Sequence, residues 1–181
     1  MKQWFALSAI GRDRPGIVAD LAELIYECDC NLEDSSMTIL GSEFAVLLLL
    51  SGAGEDLRER LSNACKRLEW EKRLTVFFRP LEGAPAADVR RDHAAYELRV
   101  TGLDKAGMVA RVARCLAELG VNITQMTTQS RPEPQTGAPI YTMRIAMDAP
   151  DSVAESALRD RLEAIARDLF VEISLQSGAE S

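Results

Sequence analysis

The chain has 181 residues, of which 47% are hydrophobic and 27% charged, a composition typical of one large or two small globular domains. Its longest apolar run, residues 44–50, is too short to span a membrane, and Arg12, Asp13 and Arg14 end the N-terminal apolar stretch, so no signal peptide is expected. The net charge of −7 disfavours direct binding to nucleic acid, which requires a basic patch. We therefore expect a cytoplasmic protein without direct membrane or nucleic-acid contacts.

The first half predicts six elements in chain order. Residues 3–10 form a strand, and the next apolar residues recur at helical spacing: Ile17, Val18, Leu21, Leu24, Ile25 and Cys28. Residues 32–40 and 44–51 predict a hairpin around Gly41-Ser42. A second helical stripe follows, formed by Leu57, Leu61, Ala64, Cys65 and Leu68. The alternation of Leu74, Val76 and Phe78 predicts a last strand.

The second half predicts the same six elements. A strand over 95–101 precedes a helix whose apolar face is Met108, Val109, Val112, Cys115, Leu116 and Leu119. Strands over 121–130 and 140–147 form the counterpart of the hairpin, with a longer loop. Ser152 and Glu155 predict a capping box at the start of the second helix. Its apolar stripe is Leu158, Leu162, Ile165, Ala166 and Leu169, and Val171, Ile173 and Leu175 alternate in the last strand.

An internal repeat relates the two halves. A shift of 91 residues superimposes seven identical residues, which are Gly11, Asp13, Gly16, Val18, Ala19, Ala22 and Asn31 in the first copy. Each copy is predicted to be a ferredoxin-like βαββαβ domain of the α+β class, an antiparallel sheet with two helices on one face. We expect domains at residues 1–80 and 94–176, a linker at 81–93 and a tail at 177–181.

The residues that usually carry catalysis or bind metal are few. Cys28 and Cys30 are two positions apart, which is not the spacing of a zinc or redox site, and Cys65 and Cys115 fall on apolar helical positions. The single histidine, His93, lies in the expected linker. The sequence therefore predicts no catalytic residue, no metal and no cofactor.

The loops between the first strand and first helix of each copy are the candidate ligand sites. Unpaired N–H groups and the helix dipole would attract a carboxylate there. The glycines permit close approach, the aspartates could meet an ammonium group, and the asparagine amides can both donate and accept. The candidate ligand-binding residues are Asp13, Arg14, Pro15, Gly16, Ile17, Val18 and Asn31, and Asp104, Lys105, Gly107, Met108, Val109 and Asn122.

A purely structural interpretation of these loops is open as well. Pro15 suits the start of a helix, Asp13 and Asp104 could cap, and Asn31 and Asn122 could be turn residues. The duplication does not separate the two interpretations, because both copies would inherit a structural turn equally.

At these loops the chain resembles the ACT-domain family. The resemblance rests on the Asp-Arg-Pro-Gly-Ile-Val segment at 13–18 and on Asn31-Leu32, and more loosely on residues 104–107 and Asn122-Ile123. Ala106 replaces the proline of the pattern. The insertion at 134–141 further resembles a type of transcriptional regulator that consists of two ACT domains in tandem.

The resemblance implies a regulatory protein that binds an amino acid, with glycine as the suggested ligand, where ACT domains meet. It also implies that the protein acts by contacting a DNA-binding transcription factor. Two alternatives remain: a detached regulatory subunit of an enzyme of amino-acid or one-carbon metabolism, and a pure protein-interaction module. Whether the chain forms a homodimer is left open by the sequence.

Overall fold

The computed structural model describes residues 2–85, 93–103, 107–134 and 136–178. The chain divides into two compact units, Met1–Asp88 and Val89–Ser181. Each unit has the element order βαββαβ. The predicted pair of ferredoxin-like domains is therefore confirmed.

The first unit is a four-stranded antiparallel sheet in the order β2-β3-β1-β4. Its elements are β1 (Lys2–Arg12), α1 (Ile17–Glu27), β2 (Cys30–Leu40), β3 (Glu43–Ala53), α2 (Leu57–Lys72) and β4 (Thr75–Leu81). The alternating side chains of β1 and β3 that face the helices are buried, among them Phe5, Leu7, Leu48 and Leu50. They pack against the apolar stripes of α1 and α2, as the helical spacing predicts.

The second unit repeats this arrangement with the strand order β6-β7-β5-β8. Its elements are β5 (His93–Leu103), α3 (Met108–Glu118), β6 (Asn122–Pro132), β7 (Pro139–Pro150), α4 (Glu155–Leu169) and β8 (Glu172–Ser177). His93 is the first residue of β5 and lies opposite Pro150 of β7. The two copies also share a β-bulge at the same place. It lies between Leu32 and Asp34 in β2 and between Ile123 and Gln125 in β6.

The predicted capping box of α4 is wrong. The helix begins at Glu155, and its N-cap is Ala154, whose backbone is extended and whose side chain accepts no hydrogen bond. A capping box requires the hydroxyl residue at the N-cap itself. Ser152 lies two positions too early, in a turn in which the N–H of Val153 donates to the carbonyl of Pro150.

All four cysteines are free thiols, and three of them are buried. Burial raises the pKa of the Cys30 and Cys65 thiols to about 11 and also raises that of Cys28. The described part of the chain holds no group of three or more His, Cys, Asp or Glu side chains placed to bind a metal ion. Among the same residues, no helix has the length and hydrophobicity needed to cross a bilayer.

The strands β2 and β6 form one edge of their sheets and carry exposed side chains along almost their whole length. In β2 the exposed residues include four large hydrophobic ones, Leu32, Met37, Ile39 and Leu40. A long edge strand with apolar side chains is a surface on which another strand can pair.

Candidate functional site

The loop from β1 to α1 is held by backbone geometry. Gly16 is the N-cap of α1 with φ 88°, the left-handed region that a residue with a Cβ rarely adopts. The N–H of Asp13 donates to the carbonyl of Ser42, in the β2–β3 turn, over 2.8 Å. The glycine therefore has a conformational reason to be present, and the loop is fixed against the neighbouring hairpin.

The first turn of α1 is left without a side-chain cap. The first intrahelical bond runs from the N–H of Asp20 to the carbonyl of Gly16 over 2.9 Å. Within the described residues, no group accepts a hydrogen bond from the N–H of Ile17 or Val18, and the exposed Asp13 carboxylate makes neither a hydrogen bond nor an ion pair. Asp13 is thus not a helix cap, and both the amides and the carboxylate are available to a ligand.

Arg14 is engaged by an acid that the sequence interpretation did not include. Its guanidinium donates to Oδ2 of Asp20 in the first turn of α1, while Nζ of Lys72 on α2 lies 2.9 Å from Oδ1 of the same carboxylate. The hydrogen bonds from Arg14 and then Lys72 lower the pKa of Asp20. Arg14 is therefore not a free clamp for a ligand carboxylate.

The remaining side chains of this loop differ in exposure. Ile17 is buried and forms part of the core, so its side chain cannot contact a ligand at the surface. Pro15 is exposed, as is Val18 with 54% of its surface accessible. Direct contact by the loop is thus limited to the backbone and to the side chains of Asp13, Pro15 and Val18.

Asn31 does not lie beside this loop within one unit. It is exposed near the start of β2, opposite Ser51, which in turn lies opposite Trp4 of β1. The loop follows Arg12, eight residues further along β1, and at about 3.4 Å per residue this separates the two by roughly 27 Å. The structure thus places the predicted loop and the predicted asparagine at opposite ends of one sheet.

The second unit repeats this geometry where it is described. Gly107 is the N-cap of α3 with φ 86°, and the N–H of Arg111 donates to its carbonyl over 3.0 Å. Met108 is buried, Val109 is partly buried, and Asn122 is exposed at the far end of the sheet. Three residues of this loop, Asp104, Lys105 and Ala106, lie outside the described residues.

The two helices that follow the loops carry opposite charges at the same position. Arg111 stands in α3 where Asp20 stands in α1, and it forms an ion pair of 2.8 Å with Asp168 of α4. The acid that engages Arg14 thus has no equivalent at this position of the second unit. The sequence shows this difference at the fourth residue after each N-cap, but it does not show that Asp20 pairs with Lys72 or that Arg111 pairs with Asp168.

Comparison with known proteins agrees with this architecture. ACT domain models match residues 3–79 and 96–164. The glycine cleavage system transcriptional repressor of Escherichia coli is 22% identical over 174 residues, covering 96% of this chain and 90% of that protein. A solved structure of an unknown protein from Galdieria sulphuraria is 27% identical with a TM-score of 0.77, covering 99% of this chain and all of the other. The chain belongs to the ACT domain family, with one ACT domain in each half.

Proposed function

We propose that the protein is a non-catalytic, cytoplasmic amino-acid sensor that regulates transcription by contacting a transcription factor rather than DNA. The observation that carries this proposal is the similarity to the glycine cleavage system transcriptional repressor of Escherichia coli, which extends over 96% of this chain and 90% of that protein. The net charge of −7 supports action through a protein partner. Glycine is the first ligand to test.

The first ACT domain offers complementary groups for the two ends of an amino acid. The N–H groups of Ile17 and Val18, at the positive end of the α1 dipole, would donate to the carboxylate. The free carboxylate of Asp13 would bind the ammonium group. Arg14, which Asp20 already neutralises, would position the loop instead of binding the ligand.

A second copy of the chain would supply the asparagine. Leu40 at the end of β2 lies opposite Glu43, which lies opposite Arg12, so the end of β2 is on the same side of the sheet as the loop. If two β2 edges pair antiparallel around a twofold axis, Asn31 at the start of one β2 comes beside the loop of the other copy. The exposed apolar side chains of β2 favour such pairing, because they would otherwise remain in water.

Thermal-shift measurements with each standard amino acid test the ligand proposal. A ligand that binds only the folded protein at a hundredfold excess over Kd stabilises it by about 2.7 kcal/mol. Asp13→Asn and Asn31→Ala should each weaken binding at least tenfold, whereas Asn63→Ala, at an exposed position of α2, should leave it unchanged. No shift with any amino acid, or equal binding by all three variants, would contradict the proposed site.

Measurements of mass in solution test the proposed pairing of copies. Met37→Lys should convert a dimer to a monomer, because the lysines would approach each other near the middle of the paired β2 edges. Trp70→Lys, at an exposed position of α2, is the matched control and should remain dimeric. A monomeric wild-type protein that still binds an amino acid would exclude the second copy as the source of Asn31.

The partner is tested by crosslinking in cells that express the protein. A transcription factor should be recovered with the wild-type chain, and its recovery should change when the amino acid is added. Recovery of a metabolic enzyme alone, or nanomolar sequence-selective DNA binding by the isolated protein, would overturn the proposed mode of action.

A further inference from the structure

The face of the second sheet that is turned away from its helices forms a polar cleft of about 910 Å3. Residues of β5, β6 and β7 make its floor, and Pro132, Glu133 and Pro134 line one end. Its volume lies within the range of small-molecule sites in proteins. All the residues that line the cleft belong to the second unit, and none of them belongs to a βα loop.

Three arginines line this cleft. Arg99 of β5 and Arg144 of β7 are direct cross-strand partners, and Arg131 of β6 lies opposite Ile140, four residues from Arg144 along β7. Like charges placed directly opposite each other on neighbouring strands destabilise a sheet. A compensating negative charge beside the two arginines would therefore stabilise the sheet.

The residues that line the cleft do not supply that charge in full. Within the described residues, none of the three guanidinium groups makes an ion pair or a side-chain hydrogen bond. The cleft has two carboxylates, and that of Glu133 accepts a hydrogen bond from the hydroxyl of Thr136. Glu97 is the other, two residues before Arg99 on the same strand. The charged side chains that line the cleft thus sum to one excess positive charge.

The first unit shows that the fold does not require these charges. Its Ser8 and Leu47 are cross-strand partners at the register positions of Arg99 and Arg144. Leu40 occupies the position of Arg131, opposite Glu43. The corresponding face of the first sheet is thus largely apolar, and the arginines are specific to the second copy. The architecture of the sheet therefore does not account for their placement.

We propose that this cleft binds a small multivalent anion, bearing phosphate or carboxylate groups. Arg99 and Arg144 form a clamp, because a planar guanidinium can hold two oxygens of such a group with parallel hydrogen bonds. Arg131 binds a second anionic group, and the side chains of Gln125 and Thr127, which also line the cleft, donate to the remaining oxygens. Binding of the anion removes the repulsion between the facing arginines.

Titration calorimetry and thermal shift on the full chain test this site, with pyrophosphate and citrate as probes. Sodium chloride at matched ionic strength is the control, because it screens the arginines without bridging them. At least one probe should bind and raise Tm more than sodium chloride does. Binding of pyrophosphate but not citrate would indicate a phosphate ligand, and binding of citrate but not pyrophosphate would indicate a carboxylate ligand. A Tm in both probes that is no higher than in sodium chloride would overturn the proposal.

Variants at the two facing arginines separate binding from a structural role. Arg99→Gln and Arg144→Gln should each weaken binding at least tenfold and, without the anion, should raise Tm at low salt. Arg114→Gln, at an exposed position of α3 on the opposite side of the unit, removes the same charge and should bind like the wild type. Two results would show that the arginines do not form a site. The first is a Tm below that of the wild type for both cleft variants without the anion, and the second is an equal loss of anion affinity in all three variants.

Discussion

The carboxylate of Asp20 holds together the β1–α1 loop and the two helices of the first unit, so its replacement is the most direct test of that region. Its side chain is 15% exposed and contacts Arg14 and Lys72, which are each 38% exposed. Partly exposed ion pairs contribute about 0.5–1 kcal/mol each after screening by solvent. Asp20→Asn should therefore reduce the free energy of unfolding by roughly 1–2 kcal/mol at pH 7.

The effect of Asp20→Asn should depend on pH in a defined direction. The pKa of Asp20 is lowered in the folded protein, so its stabilising contribution is present above the unfolded pKa and is lost as the pH falls through the folded pKa. Urea unfolding at several pH values should show a constant deficit from pH 5 to 8 that shrinks below about pH 4. Asp160→Asn, at an exposed position of α4, is the control. An equal loss of unfolding free energy in both variants, or a loss that persists at low pH, would show that the contacts of Asp20 with Arg14 and Lys72 do not stabilise the unit.

Three further predictions concern stability and thiol reactivity. Gly16→Ala and Gly107→Ala should each lower the free energy of unfolding in urea by about 1–2 kcal/mol, because φ is 88° at Gly16 and 86° at Gly107. An unchanged free energy would mean that the left-handed turn is not required. Gly102→Ala should cost about 1–3 kcal/mol, since the new Cβ would lie 2.6 Å from Cγ1 of Val171; calorimetric melting checks this, and an unchanged Tm would contradict it. Iodoacetamide at pH 8 should alkylate Cys65 at least tenfold more slowly in the native than in the unfolded protein, because burial raises its pKa to about 11; equal rates would contradict its burial.

The fold could be predicted from the sequence because each element buries one face. The alternation of Tyr96, Leu98 and Val100 predicted a half-buried strand, and these three residues are buried in β5. The hairpin at Gly41-Ser42 was also predictable, because a two-residue connection with glycine is a strong local signal. Patterns of this kind depend only on the chain near each residue.

The composition of the candidate site was harder to predict, because it depends on distant parts of the chain. Asp13 and Asn31 are only 18 positions apart in sequence, but α1 runs back along the sheet between them and places them at opposite ends of it. Lys72 reaches Asp20 from another helix, across a separation of 52 positions that no local pattern indicates. The cleft arginines were missed for the same reason: only the register of β5 against β7 places Arg99 opposite Arg144.

The two ACT domains have kept their architecture while their charged surfaces have changed. At the fourth residue after the N-cap, Asp20 of α1 corresponds to Arg111 of α3, which forms an ion pair with Asp168. On the open face of the sheet, Leu47 corresponds to Arg144. Substitutions at such positions leave the core intact, because each side chain points away from it. A duplicated domain can therefore acquire a second binding chemistry without loss of stability in the first, and this supports separate roles for the β1–α1 loop of one domain and the open sheet face of the other.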